Sequence, residues 1–160
     1  MFFNDEYYMR MALRQAALAA EQGEVPVGAV AVRDGMVIGR CYNQVELLKD
    51  ATAHAEMLVL TQAASAKGDW RLDDVTLYVT KEPCPMCAGA MINSRLKKLV
   101  FGLPDPKYGA AGSALNITAF DGLLHKVEVV SGLLEYECKE IIQSFFREVR
   151  SGNLKKQTNL

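Results

Sequence analysis

Hydrophobic and polar positions recur along the chain with two different periods, which separate its predicted helices from its predicted strands. Apolar residues recur at helical spacing over residues 5–22, and a nearly continuous β-branched run follows over residues 25–32. Such a run is typical of a strand that is buried on both faces. The Asp34-Gly35 pair is a strong hairpin signal, so residues 36–42 are predicted to form an antiparallel partner strand.

After this hairpin, predicted helices and strands alternate. Helices are predicted at about 54–66, 84–94 and 135–150, and strands at 75–80, 98–102 and 127–130. Strands that alternate with helices favour crossover connections between parallel neighbours. Together with the hairpin, the pattern predicts an α/β protein in which a mixed five-stranded sheet lies between two layers of helices, a three-layer α/β/α arrangement. The polar segment 43–53 is predicted to be a loop. Residues 103–124 contain several prolines and glycines and are predicted to be a long, mostly irregular loop.

Length and composition add few restrictions. The chain has 160 residues, half of them hydrophobic, which indicates one domain over residues 1–160 with a full core. Its polar end, about residues 151–160, is predicted to be a mobile tail. The formal net charge of −1 argues mildly against a large nucleic-acid footprint without excluding a local basic patch. We expect no membrane span and no signal peptide, and hence a cytoplasmic protein in which Cys41 and Cys138 are free thiols.

Two short motifs carry the candidate chemistry: Thr52-Ala53-His54-Ala55-Glu56 and Glu82-Pro83-Cys84-Pro85-Met86-Cys87. The two cysteines are three positions apart and therefore lie on one face of a helix. Pro85 suits the first helical position, which places Cys84 at or near the N-cap. The positive end of the helix dipole lowers the pKa of a thiol there and favours the thiolate that binds metal. His54 is predicted to begin a helix as well.

Two thiolates and one imidazole form a donor set that favours zinc. Because His54, Cys84 and Cys87 supply only three ligands, the fourth position of one Zn²⁺ per chain stays open, as it does in catalytic sites. Zinc lowers the pKa of a water in that position to about 7. Glu56 is then the candidate general acid and base: it takes a proton from this water, passes it to a ring nitrogen and later protonates the leaving amine.

Other interpretations of these residues fit the sequence less well. A redox pair of cysteines would be expected in a thioredoxin-like context, which does not surround this pair. A structural zinc needs a fourth protein ligand, and His125, Cys41 and Cys138 do not lie at a paired ligand spacing. A single His is usually a core residue. The His, the Glu and the Cys pair in this order, however, form the H-x-E and P-C-x-x-C signature of zinc nucleobase deaminases.

Further motifs carry a resemblance to a known family. They are Glu24-Val25-Pro26-Val27-Gly28-Ala29, Thr76-Leu77-Tyr78-Val79-Thr80, Cys87-Ala88-Gly89-Ala90-Met91, Gly109-Ala110-Ala111-Gly112-Ser113 and Phe145-Phe146-Arg147. With them the chain resembles the bacterial TadA family of tRNA-specific adenosine deaminases, within the cytidine deaminase superfamily, from the first helix to Arg150. The resemblance implies a cytidine deaminase-like fold and hydrolytic conversion of adenosine to inosine at the wobble position of a tRNA anticodon. It also implies two partners, the tRNA anticodon loop and a second copy of the chain in a homodimer.

By position, the resemblance assigns His54, Cys84 and Cys87 to zinc and Glu56 to proton transfer. Asn43 falls where the family holds the flipped nucleotide by hydrogen bonds. The other substrate contacts it implies are the backbone N–H of Ala55 at the reacting centre, Val27 against the base, Asp105 and Lys107 facing the anticodon loop, and Phe145 and Arg147 near the flanking nucleotides.

Each of these substrate contacts also has an ordinary structural interpretation. Asn43 could simply end a strand through its own side-chain hydrogen bonds, and Val27 could belong to the core. Asp105 and Lys107 could be a solvated pair, and Arg147 could be a cation at a helix end. Two adjacent residues of a helix cannot share one face, so one of Phe145 and Phe146 is predicted to be core, without an indication of which.

Two departures from the family pattern keep a second function open. Pro85-Met86 lies between the cysteines, as in relatives that deaminate free guanine, and Leu103-Pro104 stands where some family members carry a basic residue. The runner-up is therefore a deaminase of a free purine base or nucleoside such as guanine. A third hypothesis is a non-catalytic RNA-binding subunit, against which the presence of Glu56 argues, because a binding subunit needs no proton shuttle.

Overall fold

The computed structural model describes residues 3–153, so most of the predicted mobile tail lies outside the described residues. The five strands are β1 (Gly28–Arg33), β2 (Met36–Tyr42), β3 (Val75–Lys81), β4 (Lys98–Leu103) and β5 (Glu128–Ser131). They form one sheet in the order β2-β1-β3-β4-β5. β1 is antiparallel to both β2 and β3, whereas β3 pairs in parallel with β4, and β4 pairs in parallel with β5. The predicted mixed five-stranded sheet is confirmed.

Helices cover both faces of this sheet. They are α1 (Asp5–Glu21), α2 (Val45–Leu48), α3 (Ala55–Lys67), α4 (Pro85–Asn93) and α5 (Glu135–Arg150). One core cluster joins the sheet to α3 and α4, and a second joins it to α1 and α5. The predicted three-layer arrangement is therefore also confirmed. No helix within residues 3–153 combines the length and the apolar character that a membrane crossing requires.

Alternate residues of the central strands supply the two core clusters. In β1, Ala29 and Ala31 belong to the cluster on the α3 side, whereas Val30 belongs to the cluster on the α1 side. In β3, Leu77 and Tyr78 divide in the same way. Because successive side chains of a strand point to opposite faces, a continuous apolar run is needed to fill both layers, as the sequence pattern predicted.

Gly28 sets the distance between α1 and the sheet. A Cβ atom at this position would collide with the backbone oxygen of Ala12 and lie 2.5 Å from the backbone nitrogen of Ala16. Both alanines are fully buried. The helix backbone therefore approaches the start of β1 more closely than any residue with a side chain would allow.

Two local predictions need correction at the start of the hairpin region. β1 begins at Gly28 and not at Val25, because the N–H of Val27 donates to the oxygen of Val25 within a tight turn. The segment 43–53 was predicted to be a loop, yet it contains the short helix α2. The buried carboxylate of Glu24 accepts hydrogen bonds from the first N–H groups of this helix, those of Glu46 (3.1 Å) and Leu47 (2.7 Å). The helix thus depends on a residue more than twenty positions earlier.

Several chain segments leave the sheet at one edge. Gly28, which opens β1, pairs with Tyr42 at the end of β2, and Lys81 at the end of β3 pairs with Leu103 at the end of β4. Residues that follow these strand ends therefore meet. In open α/β sheets such an edge is the usual place for a binding site.

Candidate metal and substrate site

The metal-binding candidates come from the beginnings of two helices. His54 is the N-cap of α3, and Cys84 is the N-cap of α4, with Pro85 as the first helical residue. Cys87 follows one turn later and is fully buried. These helix starts agree with the sequence prediction, and they place both N-cap side chains beyond the sheet edge.

The three side chains lie at the spacing that a tetrahedral zinc requires. Nδ1 of His54 lies 3.6 Å from Sγ of Cys84 and 3.5 Å from Sγ of Cys87, and all the candidate ligand atoms lie within 4.8 Å of one another. With Zn–S bonds of about 2.3 Å and Zn–N bonds of about 2.0–2.1 Å, a tetrahedral ion would separate sulfur and nitrogen by about 3.6 Å. The donor set and its geometry therefore both fit Zn²⁺.

Hydrogen bonding prepares the Cys84 sulfur to be a thiolate. The Cys87 thiol is the largest influence, and together with His54 it outweighs burial and lowers the pKa of Cys84 to about 4. The Cys84 sulfur in turn raises the pKa of His54. The thiolate is the form that binds metal, so the site favours ionisation of Cys84, whereas the hydrogen bond with Cys84 and burial raise the pKa of Cys87.

Glu56 lies in the first turn of α3 with only 4% of its surface exposed. Burial raises the pKa of its carboxyl group, against the opposing effects of Cys87 and His54. Its Oε1 atom is buried without a hydrogen-bond partner among the described residues. A buried polar atom without a partner is costly, so this oxygen is suited to an incoming group.

A cavity of about 410 Å³ opens beside these side chains, a size that is typical of small-ligand pockets. Its walls include eight of the residues that the sequence singled out: Val27, Asn43, His54, Ala55, Glu56, Cys84, Asp105 and Phe145. Lys107 and Arg147 are not among the lining residues. Lys107 is exposed in a turn, and Arg147 is half exposed and pairs with Glu140 at 2.8 Å.

The amide of Asn43 is oriented by the backbone around it. Its Nδ2 donates to the oxygen of Val25 at 3.2 Å, and its backbone N–H donates to the oxygen of Val27 at 3.0 Å. Oδ1 is left buried without a partner among the described residues. Asn43 also lines the cavity. An unpaired buried acceptor is not needed to end a strand, so the arrangement favours a hydrogen bond from a bound ligand.

The two adjacent phenylalanines of α5 differ in burial. Phe145 is buried and reaches the cavity, whereas Phe146 is half buried and contacts it edge to face, with ring centroids 5.4 Å apart. The prediction that one of the pair is core therefore applies to Phe145, which is also a wall of the pocket.

Glu82 is a lining residue to which the sequence analysis assigned no role. Its carboxylate is 4% exposed and accepts backbone N–H groups from Asp105 (3.1 Å), Ala111 (3.0 Å) and Ser113 (3.2 Å), as well as the Ser113 hydroxyl. A Cβ atom at Gly109 would collide with this carboxylate. Glu82 precedes the Pro-Cys pair, so it ties the loop over residues 105–113 to the metal ligands. Its place within the cysteine motif was the only sequence signal.

Asp105 organises the beginning of the same loop. Its Oδ1 accepts the N–H groups of Lys107 (3.0 Å) and Tyr108 (3.1 Å), and its Oδ2 pairs with Nζ of Lys81 at 3.1 Å. Burial raises the pKa of the Asp105 carboxyl group, but these three partners together outweigh it and lower the pKa below its ordinary value of 3.8. Asp105 is therefore a turn-forming carboxylate at the cavity wall, and its cationic partner is Lys81.

The chain matches known deaminases over nearly its whole length. The family model of MafB19-like deaminases matches residues 3–150. A tRNA-specific adenosine deaminase from Bacillus subtilis (strain 168) is 49% identical over 156 residues, which is 98% of this chain and 97% of that protein. The chain belongs to the family of tRNA-specific adenosine deaminases. It is therefore a deaminase, and the hypothesis of a non-catalytic subunit is not supported.

Solved structures of the wider superfamily share the fold. A solved structure of a tRNA:A34 deaminase, from studies of A-to-I editing at the wobble position, superposes with a TM-score of 0.81 and 45% identity. The match covers 84% of this chain and 98% of that one. A guanine deaminase from Bacillus subtilis has a TM-score of 0.61 and 36% identity, covering 64% and 66%. The cytidine deaminase-like fold is thus confirmed.

Proposed function

We propose that this protein is a zinc-dependent hydrolase that converts adenosine to inosine at the wobble position of a tRNA anticodon. One observation carries the proposal: a single cavity joins the His-Cys-Cys group to two buried oxygens that lack partners, those of Glu56 and Asn43. The similarity to tRNA-specific adenosine deaminases supports tRNA as the substrate. The chain lacks the large basic charge of many RNA-binding proteins, so a short single-stranded loop is the more suitable partner.

One Zn²⁺ per chain would be held by His54, Cys84 and Cys87, and when bound it supplies the lowered pKa of water that hydrolysis at neutral pH requires. Glu56 accepts a proton from the attacking water and delivers it to N1 of adenine. A bond forms between C6 and oxygen, and Glu56 then transfers the remaining hydroxyl proton to the amino nitrogen. The bond between C6 and that nitrogen breaks, ammonia leaves, and C6 becomes the carbonyl of inosine. The N–H of Ala55, at the start of α3, faces the charge that develops at this centre.

The remaining assignments concern the nucleotide and its neighbours. Oδ1 of Asn43 accepts a hydrogen bond from the flipped nucleotide, and Val27 packs against its base. Asp105 and Phe145 border the cavity, whereas Lys107 and Arg147 lie outside it. Exposed cations beyond the pocket suit the phosphates of an RNA loop that extends past the target nucleotide.

The proposal includes a homodimer in the cytoplasm. Apolar side chains of α3 and α4 that pack against the core, such as those of Met57 and Met86, are only half buried, and apolar residues of the long loop, among them Phe120 and Leu124, are exposed. A second copy could cover such surface. Light scattering of the purified protein measures the assembly.

All four cysteines are free of disulfide bonds, which fits the reducing environment of the cytoplasm.

The deciding experiment is a paired assay. Zinc-loaded protein is given an anticodon stem-loop with adenosine at the wobble position and, separately, free guanine, adenine and cytosine. We expect inosine in the stem-loop only. Turnover of a free base with no change in the RNA would instead establish the guanine-type function, for which the match to guanine deaminase is the supporting observation.

The Glu56→Ala variant tests the proton transfer in the same assay. Ammonia release should collapse while zinc content stays near one per chain, because the three metal ligands are untouched. Glu128→Ala is the matched control, since it removes an exposed carboxylate at the sheet edge remote from the cavity. Undiminished activity of Glu56→Ala would refute the mechanism.

A further inference from the structure

Tyr108 combines two properties that no other cavity-lining residue shares within residues 3–153. It is an aromatic wall of the cavity, and its side chain is 70% exposed. Phe145, the other aromatic lining residue, is buried. Tyr108 therefore stands at the mouth of the cavity and presents most of its ring to the outside.

The backbone N–H groups of Tyr108 and of the residue after it both donate hydrogen bonds to Asp105. The N–H of Tyr108 donates to Oδ1 of Asp105 at 3.1 Å, and the N–H of Gly109 donates to the oxygen of Asp105 at 2.9 Å. Asp105 itself is anchored through its N–H to Glu82, a buried residue beside the metal ligands. The loop thus fixes where the ring attaches relative to the reaction centre, which lowers the ordering cost of any contact that the ring makes.

The surroundings of Tyr108 suit a nucleotide rather than another side chain. Within the described residues its ring forms no aromatic pair, unlike the clustered rings of Tyr7, Tyr8 and Tyr78. Lys81 is the only lysine or arginine among the lining residues of the cavity, and Lys107 precedes Tyr108 in the exposed turn. Lys81 pairs with Asp105, so Lys107 is the exposed cation next to Tyr108. An exposed aromatic ring beside a cation is suited to stacking on a base of single-stranded RNA and to neutralising its phosphate.

We propose that Tyr108 stacks on a base next to the target adenosine and thereby contributes to recognition of the anticodon loop. The inference rests on the proposed function, because a free purine would have no flanking base. It adds a residue outside the set that the resemblance assigned, and the residue acts on substrate binding, not on proton transfer.

The test compares Tyr108→Ala, Tyr108→Phe and Tyr136→Ala with the wild type on the stem-loop. Tyr136 is the matched control because it is 74% exposed but lies on α5 and does not line the cavity. Loss of one stacked base weakens binding by about 5- to 150-fold. We expect KM to rise about tenfold or more in Tyr108→Ala with little change in kcat, while Tyr108→Phe and Tyr136→Ala stay within about twofold.

A second set of substrates identifies the stacked base. Stem-loops with an abasic nucleotide on one or the other side of the adenosine are given to the wild type and to Tyr108→Ala. At one of these positions the difference in KM between the two proteins should disappear, which a merely structural role of Tyr108 would not produce.

Other outcomes overturn the inference. A KM for Tyr108→Ala equal to that of the control would exclude stacking, and an equal loss in Tyr108→Phe would assign the effect to the hydroxyl. A change from dimer to monomer in light scattering of Tyr108→Ala would make the residue a contact between copies of the chain. If the wild type leaves the stem-loop unchanged, the proposed function itself has failed, which is a separate result from an active enzyme that ignores Tyr108→Ala.

Discussion

Replacing Glu82 with Gln tests whether one buried carboxylate holds the cavity loop against the metal ligands. Oε2 accepts the N–H groups of Ala111 and Ser113, and Oε1 accepts that of Asp105 and the Ser113 hydroxyl. A Gln amide keeps one acceptor oxygen and places an NH₂ group where the other stood. At least one backbone N–H therefore faces a donor, and the hydrogen bonds that remain lose the carboxylate charge.

The size of the effect follows from these contacts. A buried donor without a partner costs about 1–3 kcal/mol, and a hydrogen bond to a charged acceptor contributes about 1 kcal/mol more than a neutral one. We therefore expect Glu82→Gln to lower the free energy of unfolding by about 2–4 kcal/mol. If the loop can open while the rest of the chain stays folded, the same change of about 2–4 kcal/mol lowers the free energy of local opening of the loop and not that of global unfolding.

Two measurements separate these cases. Urea denaturation reports the global change, and native-state hydrogen exchange of the Ala111 and Ser113 amides reports loop opening. Glu128→Gln, which removes the charge of an exposed carboxylate, should leave both unchanged. A Glu82→Gln variant with the wild-type urea midpoint and wild-type protection of both amides would refute the clamp.

Three further predictions concern other parts of the molecule. Asn43→Ala should fold normally and lose about 10- to 100-fold in kcat/KM on the stem-loop, because a substrate hydrogen bond to a buried acceptor disappears; unchanged kinetics would contradict the assignment. Gly28→Ala should lower stability by about 2 kcal/mol or more in thermal melts, because its Cβ would collide with the backbone of Ala12 in α1; a wild-type Tm would disprove the close contact. The lowered pKa of Asp105 means that its contribution is complete above pH 3.8 and is lost as the pH falls through the lowered value. Stability measured against pH should therefore fall more steeply below pH 3.8 in the wild type than in Asp105→Asn, and parallel curves would exclude the contribution.

The parts of the site that the sequence predicted correctly depend on neighbours within a few residues. Proline is tolerated only in the first turn of a helix and is favoured at its first position, so Pro85 predicted that Cys84 lies at or near the N-cap, where the structure places it. The apolar run in β1 and the Asp34-Gly35 turn likewise set strand and hairpin locally. The layers of the fold followed from the alternation of strands and helices, because that order restricts how apolar faces can be buried.

Tertiary structure alone decided the contacts between distant segments. Glu24 accepts hydrogen bonds from N–H groups in the first turn of α2, and Glu82 accepts one from the N–H of Asp105 at the start of the cavity loop. Helical periodicity does not indicate which of Phe145 and Phe146 is buried. The packing of α5 buries Phe145 and places it in the cavity wall. Such contacts join residues that are twenty or more positions apart. Local periodicity sets which face of each element is apolar, whereas the pairing of strands sets which faces and loops meet, and this pairing depends on the free energy of the whole packed chain.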